Sequence, residues 1–513
     1  MPMSLSEPAG LLAWVYLLAL IPLVLWARYR TASDIWLPAV VAGYAGIALV
    51  ALAIVVAVLD GQPNDRLGLV MAALISFLAL VIINFSRRYL QGESGQLRYS
   101  LALLITLAAV AVVVTTDSLY WLVAAWIISS LSLHQLLVFY RHRVTAQVVA
   151  HKKFLVSRLA DLCLLLATGL LVRASGDSSI SATLDWLAVQ IAEQGGPGWY
   201  VQLATLLLGM AVILKSAQLP FHGWLIQVME APTPVSALLH AGLVNLGGFM
   251  VLRFAPLFSA VPSAQTLLVI VGGTTAVLAA LVMMTRISIK VRLAWSTCAQ
   301  MGFMLMELGL GLYEVALVHL LAHSLYKAHA FLASGDTVNQ AERHALQPAQ
   351  PAAGLKQTLW ALPLAALAVL LLHGLWTLWQ PQHALPLVAL VILTVGLAPW
   401  CFRLAGALHA TAMLTLLLAL YLLWHQAAAL ILDGYPAPSG FQSGLAVLVV
   451  LLFVALYVSQ AWITERPASA FARRLYPWAY AGFYLDEYLT RVTFRLWPPA
   501  RNAISTQSKG VKA

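Results

Sequence analysis

The chain reads as long apolar runs separated by short polar breaks, and the runs have the length that a membrane sets. A bilayer core of ~30 Å needs about 20 apolar residues in one helix. Runs of that kind occur at 10–27, 36–59, 67–85, 99–116, 118–139, 154–173, 199–219, 233–254, 264–284, 289–311, 314–333, 357–376, 384–404, 408–432 and 443–463. None alternates apolar and polar positions as a membrane β-strand does. The pattern predicts an all-α polytopic membrane protein of about 15 transmembrane helices. The longest polar stretches are 174–198, 334–356 and 464–513. The second, with its GlnProAlaGlnProAla run at 347–352, reads as a linker. The last is amphipathic and aromatic (Tyr476, Trp478, Tyr480, Phe483, Tyr484, Tyr488), which suits a segment lying at the interface as an anchor or a docking site.

Composition narrows the class. Of 513 residues, 62% are apolar and 9% charged, against about 25% charged in soluble proteins. The mean hydropathy is +0.87. So few charges cannot cover a soluble surface, which excludes soluble enzymes, nucleic-acid binders and disordered scaffolds. The net charge of +10 then points to the positive-inside bias rather than to nucleic acid. Odd-numbered connections hold Arg28 and Arg30; Arg87, Arg88 and Arg98; Arg141, Arg143, Lys152 and Lys153; Arg286; Arg343 and Lys356. Lys290 and Arg292 border the loop of Arg286, whereas the even connections hold little beyond Arg66, Arg173 and Arg253. The tail adds Arg466, Arg473, Arg474, Arg491, Arg495, Arg501, Lys509 and Lys512. That alternation predicts a cytoplasmic tail and an outward-facing N-terminus in a bacterial inner membrane. Residues 1–10 lack the basic region of a cleavable signal, so the first run is expected to remain as a helix.

Three cysteines, Cys163, Cys298 and Cys401, have neither disulfide nor zinc spacing. No P-loop, dinucleotide-binding glycine pattern or iron–sulfur cysteine set occurs. No cofactor is expected in this chain.

Ionisable groups at membrane depth are costly, so each one carries a functional hypothesis. Arg158 and Asp161 are three residues apart on one helix face and can pair, either as a structural bridge or as a tuning carboxylate. Lys215 precedes Pro220, which removes a backbone donor and breaks the helix; His222 and Glu230 follow. A buried lysine beside a carboxylate loads or unloads its proton on a small movement. His240 lies on the next run, where a single histidine is more often a hydrogen-bonded core residue than a relay. Glu307, Glu314, His319, His323, Lys327 and His329 form the richest group. His319, His323 and Lys327 recur every four residues, so they form a stripe along one helix, about 6 Å between neighbours, like a hydrated proton wire. A zinc site would need a third ligand.

Four stretches carry a resemblance. They are LysSerAlaGlnLeuProPheHisGlyTrpLeu (215–225), MetGluAlaProThrProValSerAlaLeuLeuHisAla (229–241), TrpSerThrCysAlaGlnMetGlyPheMet (295–304) and HisLeuLeuAlaHisSerLeuTyrLysAlaHisAlaPheLeuAlaSerGly (319–335). They resemble the antiporter-like proton-channel subunits of respiratory complex I and the Mrp antiporters, over about 85–335. The resemblance implies two inverted five-helix bundles, a broken helix near Pro220, and a line of buried charges at the membrane midplane. Carried onto this chain, the broken-helix lysine is Lys215, the relay is His240, His319, His323 and Lys327, and the modulating acid is Asp161. It also implies a division into N-terminal helices (1–85), an antiporter-like core (86–335), C-terminal helices (336–463) and a cytoplasmic tail (464–513).

The departures point to one branch. Where complex I subunits carry a Trp-Glu pair, this chain has Trp126-Ile127, and no lysine occurs between Lys356 and Lys509. SerSerLeuSerLeuHisGlnLeuLeu (129–137) and HisLysLysPheLeuValSerArgLeuAlaAsp (151–161) resemble the DabB family of inorganic-carbon pump subunits. That resemblance implies a peripheral partner, DabA, with a zinc site like that of β-carbonic anhydrases. Flow of H+ or Na+ through the membrane subunit would drive hydration of CO2 to bicarbonate there. Two alternatives stand beside it: an ion-translocating subunit of a complex I, hydrogenase-like or Mrp assembly, and a structural anchor for a peripheral enzyme. The intramembrane charges argue against the anchor.

Overall fold

The computed structural model describes residues 8–29, 35–60, 65–141, 143–337, 342–343, 355–379, 385–398, 407–436 and 443–497. In chain order the helices are α1 (Leu12–Leu18), α2 (Leu20–Tyr29), α3 (Leu37–Leu59), α4 (Arg66–Tyr89), α5 (Gln96–Thr115), α6 (Leu119–Leu137), α7 (Val144–Ser175) and α8 (Ile180–Gln194). They continue as α9 (Trp199–Lys215), α10 (Gly223–Ile226), α11 (Thr233–Leu238), α12 (Leu246–Arg253), α13 (Ala255–Ala260), α14 (Pro262–Met284), α15 (Ile289–Gly309) and α16 (Tyr313–Leu332). The C-terminal part adds α17 (Leu355–Trp379), α18 (Leu387–Leu397), α19 (Ala407–Ile431), α20 (Ser443–Glu465), α21 (Ala470–Tyr480) and α22 (Leu485–Leu496). Among the described residues the β-structure is a single bridge between Ser118 and Ser179. The chain is all-α, as a membrane interior requires when each backbone group must find its partner within one helix.

Ten helices among the described residues are long and apolar enough to cross a membrane. The other five of the expected 15 or so runs fall short of that length or hydropathy among the described residues. The first is divided into α1 and α2, and α9 stops at Lys215 after 17 residues. α15 has 21 residues but carries Lys290, Arg292 and Glu307. α18 has 11 described residues, and the apolar part of α19 spans Thr415–Ile431. Arg30, Cys401, Arg501, Lys509, Lys512 and the 347–352 linker lie outside the described residues.

One correction bears on the site. Lys152 and Lys153, expected in a loop, lie inside α7 and are buried. The apolar run begins at 154, but the helix begins ten residues earlier and carries both lysines into the protein. The polar stretch 174–198 contains α8, whose N-terminus is capped by Ser179 accepting from the Ala182 amide at 3.2 Å.

Burial places the centre of the bundle. The segment Thr233–Arg253 is 94% buried across its most apolar window, against 11% for Gly444–Glu465, so the former is surrounded by protein and the latter faces outward. Its C-terminal end is tied down by Arg253, which bonds Asp65 at the start of α4 and donates to the Thr116 carbonyl at 3.0 Å. α14 and α15 approach closely through glycine. A Cβ at Gly302 would lie 2.6 Å from the Gly272 carbonyl oxygen, and one at Gly272 would lie 2.6 Å from that of Gly302. Backbones this close need small residues. Gly302→Leu is therefore expected to cost about 3 kcal/mol or more by overpacking. The check is the melting temperature of the solubilised protein; an unchanged value would mean the two helices slide apart freely.

Candidate functional site

The first cluster forms where α9 breaks. Pro220 has no amide hydrogen, so the helix ends at Lys215, and residues 216–222 run as turns before α10. The backbone freed by the break finds local partners. The Leu219 amide donates to Thr275 Oγ1 at 3.2 Å, and Gln218 Nε2 donates to the Ser216 carbonyl at 2.8 Å. Lys215 is buried, with Nζ 4.3 Å from the centre of the Trp126 ring and no hydrogen-bond partner among protein atoms. The indole face offers a cation–π contact, while the adjacent Ile127 supplies no charge. The acid within electrostatic reach is Asp161, brought in by α7.

Asp161 pairs with Arg158 at 2.7 Å, as their spacing predicts. A third cation joins them. Lys153 Nζ donates to the Ser130 carbonyl at 2.6 Å and to Ser130 Oγ at 2.9 Å; Arg158 Nη2 reaches the same hydroxyl at 3.3 Å. Lys153 also lies within electrostatic reach of Lys215, Arg158 and Asp161. One carboxylate thus faces three cations, and loss or gain of a proton by Asp161 or either lysine alters the field on the others.

The second cluster lies on α16 and the segment beside it. A π-turn at Leu239–Leu243 interrupts the segment that carries α11 and α12, and it places His240 against Phe331 with ring centres 4.3 Å apart. Such turns often mark functional positions. Lys327 donates to the Leu293 carbonyl at 3.2 Å and to Ser296, and sits within electrostatic reach of His240 and His323. His323 and His319 follow along the helix, 6.1 Å apart between ring centres. Neither nitrogen of His240 or His323 has a protein partner. Asn245 joins the two elements by donating to Ser324 Oγ at 2.6 Å.

The stripe continues into oxygen ligands. His319 Nδ1 lies 2.8 Å from Glu307 Oε2, and Nε2 lies 2.7 Å from Gln300 Oε1. A proton shared by His319 and Glu307 is hydrogen-bonded on either group. A cavity of about 240 Å³ opens beside them, lined in part by Gln300, Glu307, His319 and Tyr421. Tyr421 stands within electrostatic reach of both Glu307 and Glu314, and Glu314 pairs with His425 at 3.0 Å.

Two expected site residues sit apart from this line. His222 is buried against Trp295, 5.0 Å between ring centres, and Glu230 pairs with Arg143 at 2.9 Å. Both line a second cavity of about 1000 Å³ between the body and the C-terminal tail. Lys153, Gln300, Tyr421 and His425 join the site only through the fold. Lys153 and Gln300 lie inside the stretches 151–161 and 295–304 that carry the resemblance, whereas Tyr421 and His425 are ordinary residues until folding brings them to Glu307 and Glu314. Among the described residues, no group of three or more His, Cys, Asp or Glu side chains could hold a metal ion.

Comparison with known proteins assigns this arrangement. Residues 116–415 match the family described as NADH:quinone oxidoreductase/Mrp antiporter, transmembrane. A solved chain of the Mrp complex from Dietzia sp. DQ12-45-1b has the same fold, with a TM-score of 0.61 at 24% identity, covering 98% of this chain and 62% of that one. The probable inorganic carbon transporter subunit DabB of Hydrogenovibrio crunogenus is 41% identical over 438 residues, 85% of this chain and 83% of its own length. The probable inorganic carbon transporter subunit DabB2 of Halothiobacillus neapolitanus is 38% identical over 467 residues, 88% of this chain and 82% of its own. With identity of that level along most of both lengths, the chain is a multi-pass membrane protein that belongs to the DabB family, within the antiporter-like superfamily.

Proposed function

We propose that this chain is the ion-conducting membrane half of an inorganic-carbon pump. It passes H+ or Na+ down its gradient so that a peripheral, zinc-containing DabA-like partner hydrates CO2 to bicarbonate in one direction. The observation that carries the reading is the row of buried titratable groups. It consists of two clusters, Asp161, Arg158 and Lys215 at the helix break and His240, Lys327, His323, His319 and Glu307 along α16, which we read as successive parts of one path. An anchor protein has no use for such costly groups. We assign the outer continuation of the row to Glu314, Tyr421 and His425, of which the last two supply titratable groups in the stretch between Lys356 and Lys509 that has no lysine. In this reading the chain crosses the inner membrane about fifteen times, two inverted five-helix bundles are among those helices, and 86–335 is the channel core. The N-terminus is periplasmic and the tail from 464 is cytoplasmic, which is what the alternation of basic loops supports.

The energetics are adequate. One charge crossing the membrane releases ~2.3 kcal/mol per 100 mV, so one or two ions per cycle hold bicarbonate formation well away from equilibrium. Expression with the adjacent partner gene is expected to let a carbonic-anhydrase-deficient bacterium grow in air, and either gene alone is expected to fail. A protonophore should collapse carbon accumulation at once while ATP is held constant. Accumulation that persists with both the proton and sodium gradients dissipated would reduce this chain to a scaffold.

A further inference from the structure

The C-terminal tail reaches back into the protein and meets a buried lysine that the ion row does not use. Lys152 is fully buried on α7. Its Nζ donates to Asp486 at 2.9 and 3.0 Å, to Gln227 Oε1 at 3.0 Å and to Thr490 Oγ1 at 2.8 Å. Asp486 and Thr490 belong to α22, more than 300 residues along the chain, whereas Gln227 ends the short arm that follows the break after Lys215. Asp486 Oδ2 also accepts from Gln227 Nε2 at 2.8 Å. One carboxylate therefore joins α7 to the broken-helix arm.

A second feature is fitted to that carboxylate. Gly223 opens the arm, and a Cβ there would fall 1.4 Å from Asp486 Oδ1. Any side chain at 223 would occupy the place where the carboxylate sits. The tail is held beside this point by Trp497, which stacks on His151 at 3.9 Å between ring centres and meets Phe154 edge-on at 5.4 Å. Next to the joint lies the 1000 Å³ cavity lined by His222, Glu230 and Arg286.

The two elements joined by Asp486 are those that carry the first cluster. Asp161 lies on α7 nine residues beyond Lys152, about 13 Å along the helix at 1.5 Å per residue. Lys215 lies at the other end of the break from Gln227. The bonds that Lys152 makes are unusually costly to lose, because a buried ammonium left without its carboxylate has no water to turn to. We propose that Asp486 is a positioning residue: the tail clamps α7 to the broken-helix arm through Lys152 and Gln227, and so sets the spacing of Asp161 and Lys215. The proposal rests on the ion-conducting reading above, because spacing matters only if those two groups exchange charge.

The test uses the full chain expressed with its partner and has two readouts. The first is inorganic-carbon accumulation. The second is cross-linking by a bifunctional thiol reagent between cysteines placed at Val149 on α7 and Ile226 on the arm, both of which line the cavity. Asp486→Ala is expected to lower both cross-linking and accumulation about ten-fold, a modest loss for a displaced catalytic geometry. Asp486→Glu is expected to recover most of each. Gly223→Ala is expected to reproduce Asp486→Ala by displacing the carboxylate with the acid still present, which covers the case in which Asp486→Ala fails to accumulate in the membrane. Unchanged cross-linking in Asp486→Ala and Gly223→Ala overturns the clamp. Lowered cross-linking with wild-type accumulation overturns its link to transport. If Lys215→Ala leaves accumulation intact in the same cells, the ion-conducting reading falls by itself, while the cross-linking result still reports on the clamp.

Discussion

Replacing Lys215 by alanine is expected to abolish carbon accumulation, by about 10²-fold or more for a lost proton-transfer group, while the protein still inserts and still binds its partner. Lys215 packs against Trp126 and makes no hydrogen bond to protein atoms, so its removal deletes a charge and opens little structure. The more telling variant is Lys215→Arg. Guanidinium keeps the positive charge and can stack on the indole, but it does not release its proton in a protein. A static counter-ion would tolerate that change; a group that loads and unloads a proton would not. Both variants are therefore expected to be inactive, with membrane content and co-purification of the partner as controls. Full accumulation in a well-expressed Lys215→Arg strain would end the proton-handling role.

The second large effect is expected at Asp161. Asp161→Asn conserves shape and removes the one acid that, among the described residues, faces Arg158, Lys153 and Lys215 in this cluster. Three cations then share a buried site without compensation. Removing one member of a buried ion pair costs about 3–5 kcal/mol. Arg158 is 31% exposed, so solvent screening brings the expected loss of stability down to about 1–3 kcal/mol. Transport is expected to fall much further, about 10²-fold for a lost electrostatic partner, because Lys215 loses the carboxylate that helps it hold its proton. Asp161→Glu, with the charge displaced by one methylene, is expected to be milder. The decisive measurement is the double variant Arg158→Ala with Asp161→Asn. If accumulation returns to the wild-type level, the pair is a structural bridge and Asp161 has no place in the ion path.

The membrane character, the all-helical fold and the main buried charges were legible in the sequence, and for one reason. Each is decided by local free energies that a linear chain displays. A run of about 20 apolar residues has nowhere to go but a membrane or a core, and a lysine or histidine inside such a run stands out because it is expensive there. Lys215 before Pro220, the Arg158–Asp161 spacing and the four-residue repeat of His319, His323 and Lys327 all belong to this kind. Hydropathy failed at the ends of helices, where it misplaced Lys152 and Lys153. A helix continues past its apolar run whenever its polar end finds partners, and those partners are remote in sequence.

Tertiary structure decided everything that depends on such remote partners. Ser130 of α6 receives Lys153; Gln300 of α15 receives His319; Glu314 meets His425. Asp486 reaches Lys152 across 334 positions, through a tail whose composition suggested an interfacial anchor or a docking site for a partner, not a contact with α7. The sequence determined which groups the membrane would have to bury, because burial cost is a property of each residue in its own segment. Which of them face one another, and therefore which can exchange a proton, was decided only when packing brought separate helices together, since electrostatic coupling depends on distance in space and not along the chain.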